Sequence, residues 1–176
     1  IICVTARNVE KYVTKYFEIL DSSFSSFKEV VFLVCESFST DNTLAALESI
    51  KGSDVKLEYF PDIKVSLEET LRAVRIASAR NSLQDKVKEK YSTFDYVVMA
   101  DMDGVNRDLT QKSVDSCWDY PVWDAVTANQ PFRYYDVWAL RANGWSESDC
   151  WQDYRELLQS YSPRKAREIA VTSKMK

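Results

Sequence analysis

Four short apolar runs alternate with segments of helical periodicity, and this alternation constrains the fold more than any other feature of the sequence. The apolar runs cover residues 1–6, 30–35, 55–60 and 96–100. The helical segments between them cover residues 9–20, 43–50 and 67–90. This order favours right-handed crossovers and a parallel sheet with helices on both faces. We therefore predict an α/β fold with a mostly parallel central sheet flanked by helices.

Polar residues follow three of the predicted strands, at positions 5–8, 36–42 and 101–103. The carboxyl ends of parallel strands lie at one edge of a sheet, and open α/β sheets bind their ligands there. We therefore expect the candidate functional residues to share this edge. Thr40 or Asp41 is the expected cap of the helix predicted over 43–50.

Beyond residue 103 the alternation is lost and aromatic residues become frequent. All five tryptophans lie within residues 118–151. We expect Trp118 and Trp123 to close the hydrophobic core over a sheet edge, because their large rings bury much apolar surface. The other elements predicted here are strands over 124–129 and 134–141, a helix over 151–161 and a basic, loosely held tail over 163–176.

The chain contains no histidine, which excludes every site that requires one. Catalytic Ser-His-Asp triads, Cys-His pairs, HExxH helices and His-ligated zinc are therefore ruled out. Its four cysteines form no CxxC pair, so we predict buried free thiols in a reducing compartment. The net charge of −4 argues against a general nucleic-acid surface, because phosphate binding needs a cationic face.

No stretch of the sequence is apolar over the length of a membrane span, so we predict none. The first residues have neither a basic leader nor a small-residue cleavage site, as a signal peptide would. Since the sequence begins at Ile1, apparently within a strand, we expect a domain excised from a longer chain.

Asp101-Met102-Asp103 is the sharpest chemical signal in the sequence. Two carboxylates separated by one residue in a turn can both reach a hard divalent cation. Acidic pairs in surface turns are also common, so the motif alone does not distinguish a functional site from a solvated turn. The preceding run is apolar, and we therefore expect Asp101 to lie near the boundary of the core, where an unpaired charge is costly.

Three uses of such a motif can be compared. An EF-hand loop fails, since it needs an oxygen ligand at Val105 and a glycine at Asn106. A dehalogenase-type phosphatase begins with strand-D-x-D-G-[TV], which residues 101–105 match, and would use Asp101 as its nucleophile. Its motif stands early in the fold, whereas here it follows three strand-helix units and a fourth strand. The third use is the metal-diphosphate clamp of nucleotide-sugar glycosyltransferases.

Motifs in the order of that third class run through almost the whole chain. They are Thr5-Ala6-Arg7-Asn8, the segment 36–43, Ala79-Arg80-Asn81, the D-x-D motif and the segment 134–141. The chain resembles a small GT-A-type (Rossmann-like) glycosyltransferase domain with an aromatic-rich C-terminal mixed region. The last three motifs are similar to fungal capsule-associated mannosyltransferases and to the chlorovirus glycosyltransferase domain that modifies the major capsid protein.

The resemblance implies a metal site and cationic residues that bind a nucleoside-diphosphate sugar. Asp103, with Asp101 directly or through water, would hold Mn²⁺ or Mg²⁺ as a Lewis acid for the departing diphosphate. Arg80 would contact the diphosphate or the base, with Arg7 as the second candidate. The structural alternative for Arg80 is a solvated ion pair within its own helix.

The resemblance also implies contacts to the nucleoside. Thr5, Ala6 and Arg7 would frame a uracil or guanine base. Glu36 would contact the base or the ribose, with Asp41 nearby. Both acidic residues have structural alternatives, since Glu36 can simply end a strand and Asp41 can cap a helix.

The catalytic base is left open between two carboxylates, Asp136 and Asp149. An inverting transferase needs such a base, and a retaining one does not; the sequence leans towards inversion. Trp138 or Trp145 would suit stacking of an acceptor sugar.

The resemblance thus implies one domain over 1–176, with a nucleotide-binding half over about 1–103 and an acceptor-side half over about 104–162. The implied enzyme is a metal-dependent transferase of a UDP- or GDP-linked sugar to a glycan or glycoprotein, such as a viral capsid glycan. It would act in the cytoplasm, that of the host if viral, rather than in the Golgi lumen. The alternatives are the phosphatase and a non-catalytic, lectin-like domain.

Overall fold

A computed structural model describes residues 1–66, 72–127 and 150–173. The chain divides into two compact units, Ile1–Trp123 and Asp124–Lys176. The first unit holds the sheet and the D-x-D motif, and the described part of the second consists mainly of helices.

The first unit is built on a parallel sheet. Its described strands are β1 (Ile2–Ala6), β2 (Phe32–Glu36), β3 (Leu57–Pro61) and β4 (Val98–Asp101). They lie in the order β3-β2-β1-β4 and all pair in parallel. The chain runs outward from β1 to β3 and then returns to the other side of β1, so the order reverses between β1 and β4. The predicted α/β class is confirmed as a Rossmann-like arrangement, and this switch point is where such sheets bind ligands.

Helices cover both faces of this sheet. They are α1 (Glu10–Ser23), α2 (Thr43–Lys51), α3 (Arg72–Lys90) and α4 (Gln111–Asp115), the last followed by a 3₁₀ turn at Ser116–Asp119. Side chains of β1 alternate between two cores because successive residues of a strand point to opposite faces. Val4 and Ala6 lie in the core that contains α1, whereas Cys3 packs with Ala79 and Leu83 of α3.

Helix α1 forms where the sequence predicts one, because its apolar residues recur on one face. Val13, Tyr16, Phe17 and Leu20 are all buried against the sheet. The Phe17 ring meets the Phe32 ring of β2 edge-on, with 4.9 Å between ring centroids. Two cysteines of the sheet, Cys3 and Cys35, are buried free thiols, as predicted, whereas the free thiol of Cys117 in the 3₁₀ turn is only partly buried.

Strand β4 differs from the buried strand that the sequence predicts. Val98 and Ala100 pack against the core on one face. On the other face Met99 is 43% exposed, and Tyr96 and Val97 just before the strand are also exposed. Helix α3 covers this other face, and it packs mainly on β1 and β2 rather than on β4. An apolar run predicts a strand but not how much of each face a helix covers.

Four aromatic rings cluster beside the beginning of β4. Trp118 packs against Trp123, Tyr96 and Phe27, with ring centroids 5.4–5.7 Å apart. The two tryptophans therefore lie beside the beginning of β4, at an edge of the sheet as predicted. They are not part of either buried core of the sheet, and Trp118 is 42% exposed, so the predicted closing of the core is wrong.

The described part of the second unit contains α5 (Cys150–Leu157) and α6 (Pro163–Ser173), which pack on each other. The predicted loose tail is wrong for the residues of α6. Proline suits the first position of a helix, and the Ser162 hydroxyl accepts a hydrogen bond from the Lys165 amide at 3.4 Å. Ala166 and Ala170, one turn apart, are buried.

The strand predicted over 124–129 is absent from its described residues, 124–127. Residues 128 and 129, and the whole strand predicted over 134–141, lie outside the described residues. None of the helices in the described ranges is long and apolar enough to cross a membrane.

Candidate functional site

The D-x-D motif lies at the carboxyl edge of the sheet, at the switch point between β1 and β4. Thr5 of β1 is directly opposite Asp101 in the register of the two strands. On its other side Thr5 is opposite Cys35 of β2. Parallel pairing therefore places the polar residues after β1 beside the two acidic residues after β4, as the sequence predicts.

Arg80 of α3 reaches the motif from the neighbouring helix. Its Nη2 donates a hydrogen bond to Oδ1 of Asp101 at 3.1 Å. Both side chains are about half exposed, at 47% and 50%, so Asp101 does not lie at the core boundary as predicted. Exposed ion pairs contribute only about 0–1 kcal/mol. The Arg80–Asp101 pair can therefore be broken at little cost in free energy. It joins a helix to a strand, whereas the structural alternative for Arg80 was an ion pair within its own helix.

The turn after β4 is fixed by hydrogen bonds between its side chains and its backbone. Oδ1 of Asp103 accepts a hydrogen bond from the amide of Val105 at 3.3 Å. Gly104 has a φ of +89°, a conformation that side chains disfavour. Nδ2 of Asn106 donates to the carbonyl oxygen of Asp101 at 2.9 Å. Both carboxylates of the motif are thus presented on one short, exposed turn.

Tyr16 of α1 lies beneath this turn and was not singled out by the sequence. It shares a core with Met102, the buried residue between the two acidic ones. Burial raises the pKa of Tyr16, and the charges of Asp101 and Asp103 raise it further, while the nearby Asn106 amide acts in the opposite direction. Although Asn106 is close, the two groups do not meet hydrogen-bond geometry, and the buried hydroxyl has no partner in the described part of the chain.

Arg7 supplies a second cation at the same edge. It directly follows β1 and is exposed. Within the ranges the structure describes, its guanidinium forms no hydrogen bond or ion pair. Arg7 and Arg80 therefore place positive charge close to the carboxyl ends of β1 and β4.

The loops after β1 and β2 are tied together by side chains. The amide of Asn8 donates to the Ser39 hydroxyl at 2.9 Å, and the amide of Thr40 donates to Oδ1 of Asn8 at 2.8 Å. Asn8 has a φ of 53°, a left-handed conformation that asparagine tolerates. This half of the edge is therefore ordered by its own hydrogen bonds.

Asp41 is engaged at the beginnings of two helices. Its Oδ1 accepts hydrogen bonds from the amide of Thr43 at 3.0 Å and from the Thr43 hydroxyl at 2.6 Å. Its Oδ2 accepts one from the amide of Glu10 at 3.2 Å. Desolvation acts to raise the pKa of Asp41, but these hydrogen bonds outweigh it and lower the pKa. The contacts are those of a helix cap, and a nucleotide contact by Asp41 stays a prediction.

The side chain of Glu36 is bonded to the loop that follows β2. Its carboxylate is buried and accepts hydrogen bonds from the amides of Ser39 at 2.6 Å and Phe38 at 3.1 Å. These bonds hold Phe38 at a φ of 56°. The side chain of Ala6 is also buried, and its carbonyl oxygen accepts from the Ser37 amide at 2.9 Å. Contacts of Glu36 and Ala6 with a nucleoside remain predictions.

Asp62, just after β3, is a buried acidic residue that was not among the candidate residues of the sequence. Its Oδ1 accepts hydrogen bonds from the hydroxyls of Ser78 at 3.1 Å and Ser82 at 3.4 Å, while Oδ2 has no partner among the described residues. Burial, and then the charges of Asp62 and Glu36, raise the pKa of the nearby Cys35 thiol to about 12. In the sequence, the only indication of this residue was the pair Pro61-Asp62 at the end of the third apolar run.

The predicted catalytic and acceptor residues lie outside the described residues. They are Asp136, Asp149, Trp138 and Trp145. Their position relative to the D-x-D motif is therefore not among the observations on this site.

Asp101 and Asp103 suit a hard cation by their chemistry, because Mg²⁺ is commonly held by one or two carboxylates together with substrate phosphates and water. In residues 1–66, 72–127 and 150–173, no group of three acidic, cysteine or histidine side chains is arranged to hold a metal.

Comparison with protein-family models, with curated proteins and with solved structures finds no match to this chain. Its function is therefore inferred from the residues at the carboxyl edge of the sheet.

Proposed function

We propose that the chain is a metal-dependent glycosyltransferase that moves a sugar from a nucleoside-diphosphate sugar to a glycan or glycoprotein. The observation that carries this proposal is the meeting of Arg80 with Asp101 at the switch point, with Asp103 two residues further on. A diphosphate and its cation need acidic and basic groups side by side. The switch point of a parallel sheet is the expected place for them.

The two acidic residues of the motif would hold Mn²⁺ or Mg²⁺. When bound, the cation supplies Lewis-acid stabilisation of the charge that develops on the departing diphosphate. Arg80 is placed to bind a phosphate oxygen once Asp101 serves the cation, since their exposed ion pair costs little to break. Arg7 adds a second positive charge, which a protein of net charge −4 needs locally to bind a dianion.

The donor is expected to be linked to UDP or GDP, and the acceptor to be a glycan or glycoprotein, such as a capsid glycan if the chain is viral. We place the activity in the cytoplasm. The buried free thiols of Cys3 and Cys35 support a reducing compartment.

A thermal-shift screen tests the proposal. The wild type, Asp103→Ala and Asp108→Ala are heated with UDP, GDP, CDP or dTDP, with and without Mn²⁺. Asp108 is the matched control, because it is an exposed acidic residue in the same turn region that pairs with Arg107. We expect at least one nucleotide to raise the Tm of the wild type and the control only with Mn²⁺, and Asp103→Ala to abolish the shift.

The size of the shift follows from linkage. A ligand at a hundred times its Kd stabilises by about 2.7 kcal/mol. For a chain of this length that corresponds to a rise in Tm of roughly 5–11 °C. The proposal fails if no nucleotide gives a metal-dependent shift. Stabilisation by beryllium fluoride and Mg²⁺ without nucleotide would instead favour the phosphatase, with Asp101 as the phosphorylated group.

A further inference from the structure

A buried hydroxyl without a partner lies under the D-x-D turn. Tyr16 is only 4% exposed, and its hydroxyl makes no hydrogen bond within the described part of the chain. Buried polar groups nearly always have a partner, because leaving one unpaired is costly. Phenylalanine would fill the same place without that cost, so the hydroxyl calls for a functional explanation.

The surroundings of this hydroxyl point to the turn. Tyr16 packs in the same core as Met102, which lies between the two acidic residues. Both carboxylates act electrostatically on the hydroxyl. Asn106 lies beside it and donates its own hydrogen bond to the Asp101 carbonyl oxygen at 2.9 Å. The unbonded hydroxyl is therefore buried in the core beneath the turn that carries the two carboxylates.

We propose that Tyr16 is a positioning residue for cation binding, whose hydroxyl donates a hydrogen bond to the D-x-D turn when a divalent cation draws Asp101 and Asp103 together. This inference rests on the proposed function, because it assumes that the turn binds a cation. Carboxylates that hold a metal are usually fixed by a second hydrogen bond from an outer residue. The free protein leaves that bond unmade, since Asp101 is then paired with Arg80.

Tyr16→Phe separates this role from a purely structural one. If the hydroxyl is unpaired in the free protein, its removal leaves the metal-free Tm unchanged or higher. The same removal weakens the binding of Mn²⁺ about tenfold, as loss of an outer partner of a metal ligand does. Tyr12→Phe is the matched control. Tyr12 lies one turn earlier on α1 beside Gly104, keeps its ring in the variant, and is only partly buried.

The measurements are the metal-free Tm and the Kd for Mn²⁺ alone, read from the electron paramagnetic resonance signal of free Mn²⁺. We expect Tyr12→Phe to match the wild type in Mn²⁺ affinity. A lowered Tm for Tyr16→Phe would show that the hydroxyl is already bonded in the free protein and would overturn the inference. Equal Mn²⁺ affinity in Tyr16→Phe and wild type would overturn it while leaving the proposed function standing. Failure of the wild type to bind Mn²⁺ would overturn both.

Discussion

Replacing Glu36 by glutamine tests whether this residue holds the loop after β2. The side chain keeps its size, so no cavity forms, but one of the two acceptor oxygens becomes an NH₂ group. Glu36 accepts from the amides of Ser39 at 2.6 Å and Phe38 at 3.1 Å. A hydrogen bond to a charged group contributes about 1.5–3 kcal/mol. Losing one of these hydrogen bonds and weakening the other therefore lowers the free energy of unfolding by about 3 kcal/mol.

The loop has a reason to rearrange once these bonds are lost. Phe38 has a φ of 56°, and a non-glycine residue in that region costs of order 1–3 kcal/mol unless its surroundings hold it. We expect Glu36→Gln to lower the free energy of unfolding by about 3 kcal/mol, which corresponds to a fall in Tm of roughly 6–12 °C. Urea unfolding followed by circular dichroism gives the free energy directly.

Glu18→Gln is the matched control for this experiment. Its side chain is 60% exposed and forms a surface ion pair with Lys15 at 3.3 Å. Such a pair contributes little, so we expect a change within about 0.5 kcal/mol. If Glu36→Gln is also within about 1 kcal/mol of the wild type at an unchanged m value, the carboxylate does not hold the loop.

Two further predictions concern the sheet and the turn. The pKa of Cys35 is raised from its ordinary value of 9.0 to about 12 in the folded state. The stability that this raised pKa contributes is therefore fully present below pH 9 and is lost as the pH rises towards 12. We expect the free energy of unfolding in urea to fall less between pH 7 and pH 10 in Cys35→Ala than in the wild type. Gly104→Ala is expected to cost about 1–2 kcal/mol, because its φ is +89°. Gly52→Ala, at a φ of −75°, is expected to be neutral or stabilising by urea unfolding, and equal effects at the two glycines would refute the conformational argument.

The local pattern of apolar residues was sufficient to predict the strands of the sheet, but not how deeply each strand is buried. The apolar, β-branched run over 30–35 predicts β2, which the structure places at Phe32–Glu36. The same kind of pattern predicted β4 but gave no information on how far α3 would cover it, and α3 packs mainly on β1 and β2. The predicted position of Asp101 at the core boundary was wrong for the same reason, since its side chain is 50% exposed. In α6, the basic charge of the segment indicated a solvated tail, although alanines at 166 and 170 had the spacing of a packed face.

The candidate site was predictable where strand topology alone determines it. Parallel strands bring their carboxyl ends to one edge of the sheet, and so Thr5 and Asp101 could be placed at the same edge from the sequence. Their direct pairing is a finding of the structure. Contacts between segments far apart in the chain could not be predicted in this way. Tyr16 meets the turn only because α1 packs under it, and Asp62 is buried only because α3 covers the end of β3 with Ser78 and Ser82.

The two halves of the carboxyl edge differ in how fully their polar groups are used. Between β1 and β2, the side chains of Asn8, Glu36 and Asp41 are engaged in hydrogen bonds to neighbouring backbone amides. Within the described residues, the hydroxyl of Tyr16 under the turn after β4 has no hydrogen bond, and Arg7 directly after β1 is exposed. Saturated polar groups stabilise a fold, whereas groups with unused capacity can bind a ligand without first losing a partner. We therefore expect the charged part of a ligand to bind between β1 and β4, and substitutions of Glu36 or Asp41 to act first through the stability of the loops.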